Sequence, residues 1–296
     1  MNSALPIGTR CIDSKMKAAN ISLAVVIPCF NRRDVTLACI RRLNGGSLPV
    51  TLFVCDSASS DGTAESVVHE PNVRLLQADT DAWWSAAINL GIRAALRDQF
   101  DAIVLMNDDI SFDDDLMLRL LEKHRQHPDA IISPLQTAPA GNFLGSKYVG
   151  PYKKTEILSG ALTDSVVDTT NGCCLLVPRI IFESVGLIDE LHCPHLYGDT
   201  EFQLRAKKAG FNTVACPSIH IAQHEASNYF SRLKFFSLLS FNGSPLHLSS
   251  YLYFGKTLFG SWVNFAVLGF FFHISFMKVA IKVIFLISRR FVSFHH

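Results

Sequence analysis

The chain has 296 residues, a formal net charge of +1 and a hydrophobic share of 49%. A charge so close to neutral excludes the basic field of a nucleic-acid-binding protein and the acidic excess of a disordered chain. The apolar share is enough to bury a sizeable core, in one large domain or two small ones.

Residues 1–21 hold no continuous apolar run, so no secretory signal is expected there. The eight cysteines form no CxxC pair and show no zinc spacing. They point to a reducing compartment, the cytosol.

Ser22–Pro28, "SLAVVIP", is a short β-branched run that predicts a buried strand. Arg32–Leu43 has helical spacing and stops at "NGG". Val50–Cys55 is a second strand ending at Asp56, and the loop "SASSDGTAES" leads into another helix. Val73–Leu76 predicts a third strand, Ala82–Arg97 a helix and Ala102–Met106 a fourth strand. Asp113–His127 predicts a helix with Ser111 and Asp114 as its capping box. The alternation argues for a doubly wound, mostly parallel sheet flanked by helices, with ligands beyond the carboxyl ends of the strands.

Residues 136–170 read as a long irregular binding loop. Gly172–Val177 is a short apolar run, Pro178 opens a helix to Val185, and Asp199–Ala209 is a further helix closed by Gly210. "NTVACPSIHIA" reads as a strand, so His220 and His224 would not share a helix face.

Thr257–Met277 runs for 21 residues without a charged side chain. A bilayer crossing needs roughly 20. The cations beyond it, Lys278, Lys282, Arg289 and Arg290, would violate the positive-inside tendency in a single crossing from the cytosol. A monotopic or re-entrant anchor is therefore expected, with these residues at anionic headgroups. The resulting division is an N-terminal extension at 1–21, a catalytic domain at 22–235 and a helical membrane-associating region at 236–296.

Three stretches carry candidate chemistry. Asn107-Asp108-Asp109 follows the fourth strand. Adjacent carboxylates repel unless a cation or helix start compensates, and hard cations take such oxygens together with phosphates. Asp199-x-Glu201 opens a helix, where a carboxylate beside an apolar rim could act as a general base. "HIAQHEAS" supplies His220 and His224. Taken singly, the two acidic stretches read as well as solvated helix starts or N-caps.

Their order is more specific. "LAVVIPCFNRRDVTLACIRRL", "VTLFVCDSASSDGT", "IVLMNDD", "TNGCCLLVPRIIFESVGLIDE", "YGDTEFQLRAKKAGF" and "HIAQHEAS" follow one another along the chain. Together they resemble family 2 of the inverting, nucleotide-sugar-dependent glycosyltransferases of the GT-A fold, and in particular its rhamnosyltransferase-like branch. The resemblance spans about residues 22–230.

The resemblance implies that Pro28, Phe30 and Asn31 line the nucleotide and that Asp56 accepts a hydrogen bond from its base or ribose. Asn89 would sit near the nucleotide end of the donor. Asn107, Asp108 and Asp109 match the metal-binding acidic triplet, with Asp109 as direct ligand and His224 completing the site around Mn²⁺ or Mg²⁺. Asp199 matches the catalytic base. Gly198 and Glu201 depart from the family's Glu-Asp-x-Asp pattern, and "GLIDE" stands where "GGFDE" is frequent. Trp83 and Trp84 replace a glycine-rich loop, and with Glu201 are candidate acceptor or sugar contacts.

The implied function is transfer of a sugar from dTDP-rhamnose or a UDP-hexose to a lipid-linked saccharide acceptor, in surface polysaccharide or O-antigen synthesis. The expected location is the cytoplasmic face of the membrane, with a homo-oligomer through the C-terminal region among the candidate assemblies and no nucleic acid partner. The rival readings are a nucleotidyltransferase of related α/β fold and a non-catalytic membrane-bound module. The first lacks the glycine expected in a phosphate loop after strand one, since "PCFNRRD" has none.

Overall fold

The computed structural model describes residues 21–80, 82–137, 141–149, 152–157, 163–223 and 253, with 149 and 152–157 as backbone. Its strands are β1 (Leu23–Cys29), β2 (Thr51–Asp56), β3 (Val73–Gln77), β4 (Ala102–Met106), β5 (Ile110–Phe112), β6 (Ala130–Thr137), β7 (Phe143–Val149), β8 (Tyr152–Ile157), β9 (Ser165–Val167), β10 (Cys174–Pro178) and β11 (Asn212–Gln223). Its helices are α1 (Arg33–Asn44), α2 (Thr63–Val67), α3 (Trp84–Arg97), α4 (Leu116–Gln126), α5 (Arg179–Val185) and α6 (Gly198–Lys208).

One sheet runs in the order β3-β2-β1-β4-β10-β6-β11-β5, with β7 on β6, β8 on β7 and β9 on β11. Strands β3, β2, β1 and β4 are parallel, as the alternation in sequence predicts. Beyond β4 the expectation of a mostly parallel sheet is corrected. Strand β10 lies antiparallel to both β4 and β6, and β5, β7, β8 and β9 also pair antiparallel; β6–β11 is parallel. The sheet is therefore mixed. The long loop expected at 136–170 is corrected too, because it contains β7, β8 and β9. "FLGSKYV" and "YKKTEI" pair with each other and gain ladder hydrogen bonds that local hydropathy does not reveal.

Alternate residues of the central strands face opposite cores. Val25 and Ile27 pack with Ile40, Leu43, Leu116 and Leu120 on one side. Ala24 and Val26 pack with Ile88, Ile92, Phe182 and Phe202 on the other. Gly91 lets α3 lie directly on β1, since a Cβ there would come within 2.3 Å of Val26 Cγ1 and 2.9 Å of Cys55 Sγ. The register of β11 on β6 shifts between Cys216 and His220. Pro217 lies in that interval and has no N–H for the ladder.

The chain leaves β1 toward β2 and β3 on one side, and returns to pair β4 on the other. This strand-order reversal opens a crevice beyond the carboxyl ends of β1 and β4. Helix α4 begins at Leu116, later than the expected Asp113, and has no side-chain cap. The helix cap falls at Asp115 and not at Ser111, where the capping box was expected, and Asp114 pairs with Arg42 at 3.2 Å.

No helix among the described residues is long and apolar enough to cross a membrane. The apolar stretch at 257–277, and so the expected membrane-associating region, lies outside the described residues, as does His224.

Candidate active site

Strand β1 ends at Cys29, and the chain turns sharply at Asn31, whose φ is 51°. Asparagine tolerates this left-handed conformation better than most residues. Asn31 N–H donates to Ser59 Oγ at 2.8 Å, and Ser60 N–H donates to Asn31 Oδ1 at 2.8 Å. Asp56, at the end of β2, is buried and accepts from Ser59 N–H at 3.0 Å and from the Ser59 hydroxyl. The loops after β1 and β2 are thus latched side by side. Pro28 pairs with Cys55 inside the sheet, and Phe30 stands exposed beside the latch.

The segment after β4 faces this latch. Asp108 is 4% exposed, and both its oxygens are spent. Arg32 donates to Oδ1 at 3.0 Å and the Thr36 hydroxyl to Oδ2 at 2.8 Å. Burial pushes its pKa above the usual carboxylate value, against the opposing pull of Arg32 and Thr36. Asp109 meets the other end of the same guanidinium, Oδ2 lying 3.1 Å from Arg32 Nη2. Its Oδ1 is buried with no hydrogen-bond partner. Asn107 Oδ1 accepts from Trp84 Nε1 at 3.0 Å, which fixes the start of α3 against the end of β4.

Asp199 lies in the first turn of α6, which starts after Tyr197 at φ 65°. Its Oδ2 accepts from Gly172 N–H at 2.6 Å, and its Oδ1 from Thr200 N–H at 2.8 Å. Gln203, one turn on, accepts from Thr170 N–H at 2.8 Å and donates to Thr170 O at 2.9 Å. These bonds clamp 170–172 to α6. Crowding by protein raises the pKa of Asp199, and the backbone N–H donors of Thr200 and Gly172 oppose the rise.

Cys173 joins the two halves. Asn107 N–H donates to its carbonyl at 3.0 Å. Its buried thiol is pushed up to about 12, first by desolvation, then by the charges of Asp199 and Asp109. Both carboxylates therefore act on one point at the start of β10. Tyr148 of β7 borders the same region. Burial raises its phenol pKa, and the Asp199 charge adds to the rise.

The remaining candidates are placed as follows. The Trp83 ring stands 5.5 Å from that of His195, tilted by 60°. Asn89 is buried, and its amide binds Ile188 in both directions and donates to Glu190 at 2.7 Å. It thereby holds "GLIDE" against α3. Glu201 is buried and paired with Arg205 at 2.8 Å, while Arg205 also donates to Leu187 O at 2.8 Å. The Glu201 carboxylate is spent on anchoring α6 to the chain after α5.

Gly198 has a steric explanation. A Cβ there would lie 2.6 Å from Ser85 Oγ, 3.0 Å from Ile188 Cγ2 and 3.2 Å from Cys193 O. No acidic side chain fits at this position.

Sequence reasoning missed Arg32, Thr36, Gly172 and Gln203. A signal for Arg32 was present: once β1 and β4 are taken as neighbours, the cations of "NRR" and the acids of "NDD" fall at adjacent strand ends.

Among the described residues no group of three or more histidine, cysteine or acidic side chains is arranged as a metal cage. Asp109 nevertheless suits a hard cation, because it offers a buried, unspent carboxylate oxygen beside a crevice.

The mixed α/β architecture with its crevice at the β1–β4 reversal is the GT-A fold, as its structural neighbours show. A model of the family described as Glycosyl transferase family 2 matches residues 24–185, more than half of the chain, and the chain belongs to that family. None of the curated proteins matches its sequence. Among solved structures, GalNAc-T7 with UDP, GalNAc and Mn²⁺ has a TM-score of 0.64 at 11% identity, over 83% of this chain and 50% of that one. The mannosyltransferase PcManGT from Pyrobaculum calidifontis, in complex with GDP-Man and Mn²⁺, has a TM-score of 0.54 at 14% identity, over 71% of this chain and 59% of that one. Residues 1–349 of TarS from S. aureus have a TM-score of 0.52 at 10% identity, over 80% of this chain and 73% of that one. The chain thus spans about half to three-fifths of the first two neighbours' lengths. At these identities the likeness establishes the fold.

Proposed function

We propose that this family member is an inverting glycosyltransferase that moves a sugar from a nucleoside-diphosphate sugar, dTDP-rhamnose or a UDP-hexose, to a lipid-linked glycan. The observation that carries the reading is the meeting, at Gly172–Cys173, of the Asp199 carboxylate with the segment after β4 that bears Asp109 and its unspent oxygen. Asp56 and Asn31 supply the nucleotide end, beyond β1 and β2. The bound structures of two neighbours contain a nucleotide or nucleotide sugar with Mn²⁺, which supports a donor of that class.

Asp199 takes the proton of the acceptor hydroxyl as its oxygen bonds to the anomeric carbon. The bond from that carbon to the β-phosphate oxygen breaks, and the nucleoside diphosphate leaves with the electron pair. A single displacement inverts the anomeric configuration, as in single-step glycosidases. A divalent ion on Asp109, with His224 as its second candidate ligand, would stabilise the charge that grows on the leaving phosphate. Gly172 and Thr200 hold the base in place through their N–H groups. The rings of Trp83, at the start of α3, and of Tyr148, near Asp199, are the candidate surfaces for a sugar.

The charge-free stretch at 257–277 supports a membrane-surface location on the cytoplasmic side, and with it an acceptor carried on lipid. The test is a panel of UDP-, dTDP- and GDP-sugars with Mn²⁺, scored by release of nucleoside diphosphate with and without a lipid-linked saccharide. One donor should respond and excess chelator should abolish the signal. Release from none of them removes the reading.

A further inference from the structure

The guanidinium of Arg32 occupies the charge position between the two carboxylates after β4. It lies 3.0 Å from Asp108 Oδ1 and 3.1 Å from Asp109 Oδ2. Asp108 has a second donor in Thr36, whereas Asp109 has Arg32 on one oxygen and nothing on the other. Arg32 itself is about one-third exposed, so it can leave one partner without crossing packed protein. Two adjacent acids with one cation between them carry about half the charge they would present to an incoming ion.

We propose that Arg32 is a built-in counter-ion that keeps the free protein weak for divalent metal and couples metal binding to arrival of the nucleoside diphosphate. This inference rests on the donor-and-metal reading above. With no nucleotide, Arg32 neutralises Asp109 and lowers its attraction for a cation. The diphosphate offers Arg32 a second anion, in the bidentate geometry that guanidinium groups favour. Arg32 then keeps Asp108 and releases Asp109, and the metal is held by Asp109 and phosphate together. Arg32 is a positioning residue in this scheme, and Thr36 secures Asp108 throughout.

The test is the affinity of the full chain for Mn²⁺, followed by the electron paramagnetic resonance signal of the free ion. It is measured for wild type, R32K, R32Q and R32M, first alone and then with saturating UDP, dTDP or GDP. Near-UV circular dichroism and melting temperature identify which variants are folded. Without nucleotide, R32Q and R32M should bind Mn²⁺ about ten-fold more tightly than wild type, and R32K should stay near wild type, because removing a cation a few ångströms away is worth at least that factor. With nucleotide, wild type should tighten its hold on Mn²⁺ by a larger factor than the neutral variants do. Either neutral variant is sufficient if the other does not fold. Equal or weaker Mn²⁺ affinity in a folded neutral variant, while wild type still binds Mn²⁺ with nucleotide, overturns the counter-ion role and leaves the metal reading standing. No Mn²⁺ binding by wild type with any of the three nucleotides removes both.

Discussion

Gly172 and Asp199 are fitted to one another twice over. The Gly172 N–H donates to Asp199 Oδ2 at 2.6 Å, and a Cβ on Gly172 would stand 2.7 Å from the Cβ of Asp199. The missing side chain makes room for the carboxylate that the backbone then holds. Gly172→Ala should therefore displace Asp199 while leaving the crevice between β1 and β4 intact. Misplacing a catalytic group by about 1 Å costs on the order of 100-fold in rate. The expected result is a fall of that size in kcat with donor affinity unchanged, read from initial rates and calorimetric titration of the donor.

Asp199→Asn should lower transfer by about 100- to 10,000-fold, the usual contribution of a positioned base. Donor binding should persist. Because the folded protein raises the pKa of Asp199, the wild-type rate should climb with pH through a value above the ordinary carboxylate range and then level off. The stability linkage has the opposite direction. A raised carboxyl pKa stabilises the fold below the unfolded value of 3.8, and this contribution is lost as pH rises through the folded value. At neutral pH the charge is a burden. Its removal offsets part of the cost of the backbone N–H that Asp199→Asn leaves facing an amide donor, so the variant should stand best relative to wild type there. That relative standing should decline as the pH falls toward the ordinary carboxylate range. Melting curves across pH check the sign.

Asp108 and Asp109 should separate by phenotype. Asp108→Asn disturbs a buried carboxylate whose two oxygens are both used, so it should cost about 1–3 kcal/mol in urea unfolding. Asp109→Asn should cost less than Asp108→Asn, because it weakens one contact to a guanidinium that keeps Asp108 and leaves no bond lost at the unspent Oδ1. It should instead remove the extra donor affinity that Mn²⁺ confers on wild type.

Gly198→Ala should destabilise by about 1–3 kcal/mol, the usual cost of overpacking. The new methyl would meet Ser85 Oγ, Ile188 and the Cys193 carbonyl, and the last is backbone that cannot easily withdraw. Ser85 also donates its hydroxyl to that carbonyl at 2.5 Å, so the obstruction is held in place. Thermal unfolding measures the loss.

The parallel half of the fold was legible because its central strands are buried on both faces and read as continuous apolar runs, as in "SLAVVIP" and "AIVLM". In the other half "NTVACPSIHIA" was legible as the strand β11 and Gly172–Val177 as the apolar run of β10, while β7, β8 and β9 were not. Strands β7 and β8 mix lysine, serine and glycine with a few apolar residues, and only their pairing makes them strands. At the site, the acids stood out as residue types at strand ends, while their partners did not. Arg32 reads as one of many surface cations until β1 and β4 are neighbours. Gly172 reads only as the first residue of an apolar run until Asp199 occupies its side-chain space. The packing of Gly198 follows from Ser85 and Cys193, which are distant in sequence and meet it only in the fold.

The most direct test of the account is calorimetric titration of the donor identified by the nucleotide-sugar panel into wild type, Asp109→Asn and Asp199→Asn, each with and without Mn²⁺. Wild type and Asp199→Asn should bind with similar affinity, tightened by Mn²⁺, and Asp109→Asn should show no tightening. Mn²⁺-tightened binding that survives Asp109→Asn, or that disappears in Asp199→Asn, would contradict the division of the crevice into a donor–metal side and a base.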